Sequence, residues 1–314
     1  MKILVTGASG QIGTELTQAL RVKFGKENVI ASDISEDAGY GSDTGLYKRL
    51  DVMNRSQLEQ IIADHQITVV YHLAAMLSAR GEQNPLTAWQ LNMDSLLFVL
   101  ELSKKYGFRV FWPSSIAVFG AHVNKTLTPQ HSILEPSTVY GISKAAGENW
   151  CKYYFEKFGV DVRSIRYPGL ISHSALPGGG TTDYAVDIFH HAVKGLNYVC
   201  YLQEDTFLPM MYMPDAIRAT LELMDAPADR LTVRTSYNLS GFSFCPANLE
   251  KAIAEHLPDF NVTYTPDHRQ QIADSWPQSV NDDYARRDWG WKAEYNLPAM
   301  TKDMIKNLMI SNYV

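Results

Sequence analysis

Cysteine is scarce in this chain. Three cysteines occur among the 314 residues, at Cys151, Cys200 and Cys245, so they are far apart and odd in number. A disulfide framework or a zinc site built on paired cysteines needs an even or closely spaced set, and this distribution argues against both. It favours reduced thiols instead, and we therefore expect a cytoplasmic protein.

The chain also lacks an excess of positive charge and any long apolar run. Its formal net charge is −6, with acids and bases interspersed, which argues against nucleic acid or an anionic membrane as a partner. No apolar run approaches the roughly 18–20 residues that cross a bilayer, and the first residues lead into a strand pattern rather than a signal peptide. A composition of 46% hydrophobic and 20% charged residues predicts one large or two closely joined globular domains.

Glycines are concentrated near the start of the chain. Residues 2–6 form a short apolar run typical of a buried strand, and Gly7, Gly10 and Gly13 follow it. Helical spacing then begins at Thr14 and continues to Phe24. A strand, a glycine turn and a helix together favour phosphate binding, because a backbone without side chains approaches a pyrophosphate at the helix N-terminus. The alternative interpretation is a purely structural turn.

An acid ends the second predicted strand. Asp33 follows the apolar residues 29–32 and stands twenty residues beyond Gly13. In a dinucleotide-binding fold such an acid accepts hydrogen bonds from the adenosine ribose, and its charge repels a 2′-phosphate. The turn carries Gln11 rather than an arginine, so the sequence favours NAD over NADP. An exposed loop acid is the alternative.

Strand-like and helix-like segments continue to alternate after this unit. The pattern predicts helices over 54–65, 85–106 and 140–158, and strands over 67–73, 108–114 and 160–167. Such alternation implies right-handed crossovers and an α/β fold with a doubly wound parallel sheet of the Rossmann type. Ligands bind beyond the carboxyl ends of such strands. The residues that we expect at those ends are Asp51, Ala74, Ala75, Ser114, Ser115 and Pro168.

A tyrosine and a lysine lie four positions apart within TVYGISKAAGENW. On a helix, Tyr140 and Lys144 share one face. Alcohol oxidation by hydride transfer needs a base for the hydroxyl proton. A free phenol titrates near pH 10, and a pKa near 7 needs roughly 4 kcal/mol of extra anion stabilisation, which a nearby ammonium supplies in a desolvated cleft. The alternative is a packed tyrosine beside a solvent-directed lysine.

These motifs resemble those of a known superfamily. GASGQIG, Asp33, Asp51-Val52, HLAA, PSSIAVFG, the Tyr140/Lys144 pair and RYPG are together similar to the extended short-chain dehydrogenases/reductases, the group containing UDP-galactose 4-epimerase. AAMLSARGEQNP, KFGVDVRSIRYPGLIS, GGGTTDYAVDIF, CYLQEDTFLPMMYMPDAI and YNLSGFSFCP narrow the resemblance to the short-chain type of L-threonine 3-dehydrogenase. The resemblance implies NAD-dependent oxidation of the C3 hydroxyl of L-threonine to 2-amino-3-oxobutyrate, with release of NADH.

Two other functions remain open at this stage. A nucleotide-sugar epimerase or dehydratase uses the same fold but keeps its NAD bound through the cycle. A cofactor-sensing regulator is a third class, although such a protein has no need for the Tyr140, Lys144 and Ser115 set.

The resemblance also implies roles for individual residues. Tyr140 is the predicted general base, Lys144 tunes it and binds the nicotinamide ribose, and Ser115, with Ser114 as the fallback, orients the reacting hydroxyl. Strand-end capping is the alternative for Ser115. The predicted cofactor-binding set is Gly7, Gly10, Gln11, Ile12, Gly13, Asp33, Asp51, Val52, Leu73, Ala74, Ala75, Asn92, Tyr140, Lys144, Tyr167 and Pro168.

A second glycine-rich stretch precedes a helix at residues 178–192. We expect Gly180, Thr181 and Thr182 to hold the substrate carboxylate through N–H and hydroxyl groups, because a helix N-terminus favours anions. Simple capping of the helix by the threonines is the alternative. By resemblance Ser78 lines the same pocket, and Leu77 shapes it. Trp276 is either a pocket wall or a core residue.

No metal is predicted. His72 and the pair His190-His191 are interpreted as core or surface residues, because no H-E-x-x-H motif or cysteine pair accompanies them. The predicted domains are an NAD-binding domain over 1–170 plus 208–240 and a smaller, discontinuous substrate domain over 171–207 plus 241–314. The helices at 85–106 and 140–158 pair across a homodimer in this family, which predicts a dimer here.

Overall fold

The computed structural model describes residues 1–36, 45–174 and 178–311. The strands are β1 (Ile3–Thr6), β2 (Val29–Asp33), β3 (Tyr47–Arg49), β4 (Val69–His72), β5 (Arg109–Phe111), β6 (Ser114–Ser115), β7 (Val162–Arg163), β8 (Ile165–Tyr167), β9 (Gly169–Ile171), β10 (Tyr198–Cys200), β11 (Leu208–Tyr212), β12 (Tyr237–Asn238), β13 (Phe242–Phe244) and β14 (Val262–Tyr264). The α-helices are α1 (Gln11–Phe24), α2 (Arg55–Asp64), α3 (Ser78–Gln83), α4 (Pro85–Tyr106), α5 (Val139–Phe158), α6 (Tyr184–Ala192), α7 (Met213–Asp225), α8 (Pro246–Ala254), α9 (His268–Asp274), α10 (Asp283–Trp289) and α11 (Leu297–Ser311).

The main sheet has six parallel strands. Their order is β3-β2-β1-β4-β5-β7, so the chain winds outward from β1 in both directions. The strand order reverses between β1 and β4, and this is the position where a doubly wound sheet binds its ligand. The predicted α/β fold with a parallel, Rossmann-type sheet is therefore confirmed.

Two predicted strands are each interrupted. The strand expected over 108–114 divides into β5 and β6, and the strand expected over 160–167 divides into β7 and β8. Pro113 lies at the first interruption, and proline has no N–H to donate to a sheet ladder. β6, β8 and β12 form a parallel three-stranded sheet, with Ser114 opposite Arg166 and Ser115 opposite Tyr167.

The helices around the site begin and end at recognisable signals. α4 has the predicted bounds, with a proline in its first turn and Gly107 in the left-handed conformation directly after it. α5 begins one residue before the predicted position, where the Thr138 hydroxyl accepts a hydrogen bond from the Gly141 N–H at 3.1 Å. β3 and α3 were not predicted, because three and six residues carry little periodic signal. No described helix is long and apolar enough to cross a membrane.

Strand β11 supplies side chains to two hydrophobic clusters. Leu208, Met210 and Tyr212 pack into a cluster with α6, α8 and α11, whereas Met211 packs against β1, α1 and α7. The alternation follows from the two-residue period of a strand. Trp291, within the predicted substrate domain, also joins the cluster against α1 and α7. The proposed domain bounds stay a prediction.

Candidate active site

One cavity of about 590 Å³ lies along the carboxyl ends of the central strands. It is lined by residues from the turn after β1, from the ends of β2, β4, β6 and β8, from α5, and from the loop before α6. The predicted site residues that line it are Gly7, Gly10, Gln11, Ile12, Gly13, Asp33, Asp51, Val52, Leu73, Ala74, Ala75, Ser78, Ser115, Tyr140, Lys144, Tyr167, Pro168, Gly180, Thr181, Thr182 and Trp276. The structure therefore brings together segments that are far apart in the sequence.

The glycine turn after β1 packs tightly against its own backbone. Gly7 has φ +70°, and a Cβ there would lie 2.7 Å from the Ala74 nitrogen. A Cβ at Gly13 would lie 2.2 Å from the Gly7 carbonyl oxygen. This packing needs glycine and turns the chain sharply from β1 into α1, which begins at Gln11 rather than at the predicted Thr14.

The N-terminus of α1 is open towards the cavity. Within the described residues, no side chain caps this helix and no acid lies in its first turn. The Gln11 amide nitrogen Nε2 is buried without a hydrogen-bond partner in the described part of the chain. Backbone N–H groups, the helix dipole and an unused amide donor together favour an anion at this end of the cavity.

Asp33 joins the end of β2 to the glycine turn. Its Oδ2 accepts a hydrogen bond from the Ser9 N–H at 3.0 Å, and its Oδ1 accepts one from the Ile34 N–H at 2.8 Å. The carboxylate lines the cavity beside Asp51 and Val52. This acid therefore lies where a ribose bound next to the turn would meet it.

Asn92 differs from its expected place. It is buried on α4 and is not among the residues lining the cavity. Its Oδ1 accepts a hydrogen bond from the Met76 N–H at 2.8 Å, and its Nδ2 donates to the Met76 carbonyl at 3.1 Å and to the Ser143 hydroxyl at 3.2 Å. The amide group is thus used to hold the loop after β4, so we correct its predicted role from cofactor contact to support of that loop.

Tyr140 and Lys144 lie on the same face of α5, as their spacing predicted. The Lys144 Nζ lies 5.5 Å from the centre of the Tyr140 ring and 4.4 Å from the centre of the Trp112 ring. It donates a hydrogen bond to the Pro113 carbonyl at 2.6 Å. A Cβ at Gly141 would lie 2.2 Å from the Ala117 carbonyl oxygen, so a glycine beside Tyr140 lets α5 approach the turn that follows β6.

Burial dominates the acid–base properties of this pair. It raises the pKa of Tyr140 to about 12, against a smaller lowering by a hydrogen bond with Ser115. It lowers the pKa of Lys144 to about 7, although Cys151 and Glu148 act in the opposite direction. The sequence predicted that a nearby ammonium lowers the pKa of Tyr140 towards neutrality, and in the isolated chain desolvation opposes the charged forms of both side chains.

Ser115 and Ser114 have different partners. The Ser115 hydroxyl accepts a hydrogen bond from the Ala117 N–H at 3.2 Å, so it caps the turn after β6, and it also bonds with Tyr140. Its role towards a substrate hydroxyl stays a prediction. The Ser114 hydroxyl is buried and donates to Glu148 Oε1 at 2.7 Å. The Ser114 hydroxyl is therefore already used by Glu148, although Ser114 also lines the cavity, and its fallback role stays a prediction.

The loop before α6 has a different arrangement from the predicted one. The Asp183 Oδ2 accepts hydrogen bonds from the Gly179 N–H at 2.8 Å and the Gly180 N–H at 2.6 Å. The Tyr184 N–H donates to the Tyr201 hydroxyl at 2.7 Å. The Gly180 N–H is therefore already paired, and we correct the expectation that it binds a substrate carboxylate.

Thr181 does not cap α6, because Asp183 occupies the N-cap position. Thr181 is buried, and its hydroxyl oxygen lies 3.5 Å from that of Ser78, which also lines the cavity. Burial raises the pKa of Asp183 to about 6, although the two glycine N–H groups act in the opposite direction. This end of the cavity therefore combines hydroxyl groups with an acid that ionises near neutral pH.

Trp276 and His72 were each given two interpretations. Trp276 is 6% exposed and lines the cavity, so it is both a buried residue and a wall; its carbonyl accepts a hydrogen bond from Lys125 Nζ at 3.0 Å. His72 is buried between the hydroxyls of Thr6, at 2.8 Å, and Ser95, at 3.0 Å, and burial lowers its pKa to about 3. It is a neutral core histidine, as predicted.

Sequence reasoning missed several lining residues. They are Ser9, Ile34, Leu50, Met76, Arg80, Leu91, Pro113, Ile116, Gly169, Leu170, Gly178 and Asp183. Many of them are sequence neighbours of a predicted strand end, so including the residues on either side of each strand end would have identified them. Arg80 lies on α3, which is too short to give a periodic sequence pattern. Asp183 belongs to the segment predicted as the start of a helix, and no binding role was predicted for it.

A family model matches most of this chain. The model described as the NAD dependent epimerase/dehydratase family matches residues 3–240. The chain belongs to this family. The matched residues include β1, the glycine turn, Asp33 and α5, which form the cofactor and tyrosine–lysine parts of the cavity.

Three relatives illustrate the range of this similarity. An uncharacterized epimerase/dehydratase of Staphylococcus saprophyticus is 48% identical over 306 residues, covering 97% of this chain and 96% of the relative. An L-threonine dehydrogenase from Cupriavidus necator, solved in its holo form, is 57% identical with a TM-score of 0.96, covering 98% of this chain and 100% of that one. A monomeric L-threonine 3-dehydrogenase from a metagenome is 52% identical, with a TM-score of 0.96 and 99% of each chain covered.

The residues of this family member fit NAD. The turn closes only without side chains at Gly7 and Gly13, the first turn of α1 carries no acid, and Gln11 offers a buried donor that lacks a partner within the described residues. Asp33 lies at the adjacent strand end with its carboxylate in the cavity. NAD is accordingly the cofactor of this epimerase/dehydratase-family enzyme, and bound there it supplies a hydride acceptor.

Proposed function

We propose that this enzyme oxidises the C3 hydroxyl of L-threonine to 2-amino-3-oxobutyrate, with NAD as the hydride acceptor and release of NADH. One observation carries the proposal: the cavity that holds Tyr140, Lys144 and Ser115 also holds Asp183 near its hydroxyl-rich end. A phenol, an ammonium and a hydroxyl serve alcohol oxidation, and the acid suits a substrate that carries an ammonium group. The solved relatives described as L-threonine dehydrogenases support the same substrate.

Each residue of the tyrosine–lysine set has a chemical role in this proposal. The Tyr140 phenolate accepts the proton of the C3 hydroxyl while the C3 hydride leaves for NAD, and a ketone remains. Ser115 bonds with Tyr140 and orients the substrate hydroxyl beside it. The Lys144 ammonium, 5.5 Å from the tyrosine ring, favours the phenolate and holds the nicotinamide ribose. Desolvation opposes this ionisation, so a protonated Lys144 is required for the base to form.

We assign the two charged groups of the amino acid to opposite partners. Asp183 receives the ammonium, because it is the acid that lines this end of the cavity, whereas Asp33 and Asp51 belong to the other end. The hydroxyls of Ser78, Thr181 and Thr182 receive the carboxylate. The walls for the substrate methyl group are Trp276 and Leu77.

Cofactor contacts follow from the open end of the cavity. The glycine turn with Gln11 and Ile12 would hold the pyrophosphate, and Asp33 would accept hydrogen bonds from the adenosine ribose. Asp51, Val52, Leu73, Ala74 and Ala75, which line the cavity, would contact the adenine and its ribose, and Tyr167 and Pro168 would contact the nicotinamide.

A substrate screen tests the proposal. Purified protein with NAD and L-threonine is expected to raise the absorbance at 340 nm, because NADH leaves the site. Serine tests the methyl wall, and 3-hydroxybutyrate, which lacks the ammonium, tests Asp183. Conversion of a UDP- or dTDP-sugar without NADH release, together with no reaction on threonine, would instead assign an epimerase or dehydratase.

We also propose that α4 and α5 form a homodimer contact. Large apolar side chains are exposed on both helices, including Leu86 and Trp89 on α4 and Trp150 and Tyr153 on α5. Exposed apolar groups of this size mark interaction surfaces. A relative described as monomeric is 52% identical, so the oligomeric state needs a direct measurement. Analytical ultracentrifugation is expected to give a species twice the chain mass of 35.3 kDa, and Trp150→Glu is expected to convert it to the monomer.

We further propose that the enzyme works in the cytoplasm. Its three cysteines are all free and buried, which suits a reducing compartment. Cell fractionation with an antibody against the chain tests this location.

A further inference from the structure

A buried carboxylate lies one helical turn beyond Lys144. Glu148 is 0% exposed and lies four residues after Lys144 and eight after Tyr140, so the three side chains follow one face of α5. Its Oε1 accepts hydrogen bonds from the Ser114 hydroxyl at 2.7 Å and from Arg166 Nε at 2.8 Å. Its Oε2 accepts one from the other side of the Arg166 guanidinium at 2.7 Å. No motif of the sequence assigns a role to Glu148.

The partners of Glu148 lead directly to the reacting groups. Ser114 lies between Pro113 and Ser115. The Pro113 carbonyl accepts a hydrogen bond from the Lys144 ammonium at 2.6 Å, and the Ser115 hydroxyl bonds with Tyr140. Arg166 lies opposite Ser114 in the β6–β8 register and also donates to the Gln130 carbonyl at 2.9 Å. The Glu148 carboxylate therefore connects α5, which carries Tyr140 and Lys144, to the segment that carries the Pro113 carbonyl and the Ser115 hydroxyl.

Glu148 also balances the charge around Lys144. The titratable groups that face this ammonium are Tyr140, Glu148 and Cys151 from α5 and His72 from β4, with Arg166 from β8 behind Glu148. Burial keeps His72 neutral, raises the pKa of the Cys151 thiol and lowers the pKa of Lys144 to about 7. Among these groups Glu148 brings the negative charge that favours the ammonium form.

We propose that Glu148 is a positioning residue, which keeps Lys144 protonated and holds the Pro113–Ser115 strand end against α5. The proposal rests on the proposed function, in which a charged Lys144 favours the Tyr140 phenolate and binds the nicotinamide ribose. A purely structural role for Glu148 would change stability and overall rate, but it would leave the pH dependence of the site in place.

The test compares two glutamates of the same helix. Glu148→Gln keeps the shape and hydrogen-bonding oxygen of the side chain and removes its charge. Glu156→Gln is the matched control, because Glu156 is exposed and pairs with Lys152 at 3.6 Å, away from the cavity. Glu148→Asp keeps the charge but withdraws it by one methylene, and it serves if the glutamine variant does not fold. Circular dichroism verifies the fold of each variant.

The readout is the pH profile of kcat/KM for L-threonine oxidation. Lys144 is charged below its pKa, so removing the nearby carboxylate moves the alkaline, descending limb to lower pH. We expect a displacement of about one pH unit in Glu148→Gln, about half of that in Glu148→Asp, and none in Glu156→Gln. An unmoved limb in folded Glu148→Gln, or in Glu148→Asp where only that variant folds, overturns the proposal.

A binding measurement separates this proposal from the proposed function. NADH is titrated by fluorescence from pH 6 to 10 without substrate, since Lys144 is proposed to hold the ribose. We expect NADH binding to weaken at a lower pH in Glu148→Gln than in the wild type. If the wild type fails to oxidise threonine, the proposed function fails, and the NADH titration still decides the role of Glu148. Superimposable NADH curves for both proteins would contradict it.

Discussion

The two glycine-rich turns of this protein precede helices in the same way but have opposite electrostatic character. At the first turn, α1 begins uncapped, without an acid in its first turn within the described residues. At the second turn, Asp183 binds the N–H groups of Gly179 and Gly180, and Asp187 lies in the first turn of α6. The first helix end is suited to an anion, whereas the second has the N–H groups of Gly179, Gly180 and Tyr184 paired and carries a carboxylate.

The difference teaches that a glycine run before a helix does not by itself make an anion site. The backbone N–H groups must have no acceptor within the protein, and a single carboxylate one turn away can accept their hydrogen bonds. In the proposed function the two turns therefore have different partners: the first faces the phosphates of the cofactor and the second a cationic group of the substrate. The experiments below separate these two ends, from the largest expected effect to the smallest.

Removing the proposed base, Tyr140, is expected to stop threonine oxidation without weakening cofactor binding at the first glycine turn. Tyr140→Phe keeps the ring and removes the hydroxyl that accepts the proton. We expect kcat to fall about 10³-fold, a typical effect of losing a general base. The NADH dissociation constant, measured by fluorescence, should stay within about threefold, as one lost hydrogen bond implies.

Tyr153→Phe is the control for this change, since Tyr153 is exposed on the same helix. A Tyr140→Phe enzyme that retained a tenth of the wild-type rate would assign the base to another group.

Adding one methyl group to each turn tests whether the two turns differ as described. A Cβ at Gly13 would lie 2.2 Å from the Gly7 carbonyl, whereas a Cβ at Gly180 would first meet the end of the Asp183 side chain, at 2.8 Å. Gly13→Ala is expected to weaken NADH binding at least about 100-fold, because backbone cannot move as a flexible side chain can. Gly180→Ala should leave NADH binding within about threefold.

Isothermal titration with NADH compares the two glycine variants directly. Equal losses in both would mean that the second turn also carries the cofactor, and the division between the two ends would be wrong.

Neutralising the acid of the second turn tests its proposed ammonium contact. Asp183→Asn is expected to raise KM for L-threonine about 30-fold, which corresponds to roughly 2 kcal/mol for a lost charged hydrogen bond. Burial raises the pKa of Asp183 to about 6, so the wild-type carboxylate becomes neutral as the pH falls through that value. KM of the wild type should therefore rise below pH 6, and KM of the variant should stay flat.

Asp187→Asn is the matched control, because Asp187 lies on the same helix but does not line the cavity. A wild-type KM that is constant from pH 5 to 8 would argue against an ammonium contact at Asp183.

The smallest effect is expected from the acid of the first end. Asp33→Asn keeps an acceptor for the Ser9 N–H and removes the charge next to the ribose. We expect NAD to bind about tenfold more weakly, because a charge-assisted hydrogen bond becomes a neutral one. NADP should gain relative to NAD, and KM for threonine at saturating NAD should not change. A change confined to threonine would reverse the assignment of the two acids.

Local patterns predicted the first end well. The run from β1 through the glycines into α1, the acid at Asp33 and the bounds of α4 and α5 all depend on residues within one or two turns of each other. Hydrophobic period, glycine and caps act over that same range. The placement of Tyr140 and Lys144 on one face follows from the helical repeat alone.

The errors share a physical cause, since each depends on a partner distant in sequence or on burial. Asn92 was expected at the cofactor, but its amide is paired with the Met76 backbone. The pKa of Tyr140 was expected to fall, and desolvation raises it. Neither the partner nor the depth of burial is encoded in a short motif.

By itself, the sequence determined the sheet–helix alternation, the phosphate-binding turn, the acid at Asp33 and the tyrosine–lysine pair, because short-range sterics and periodicity specify them. The tertiary structure alone decided that Asp183 takes the N–H groups of its own turn and that Glu148 reaches Ser114 and Arg166 behind the site. Charges and donors act through space, so their effect is known only when the chain has brought them together.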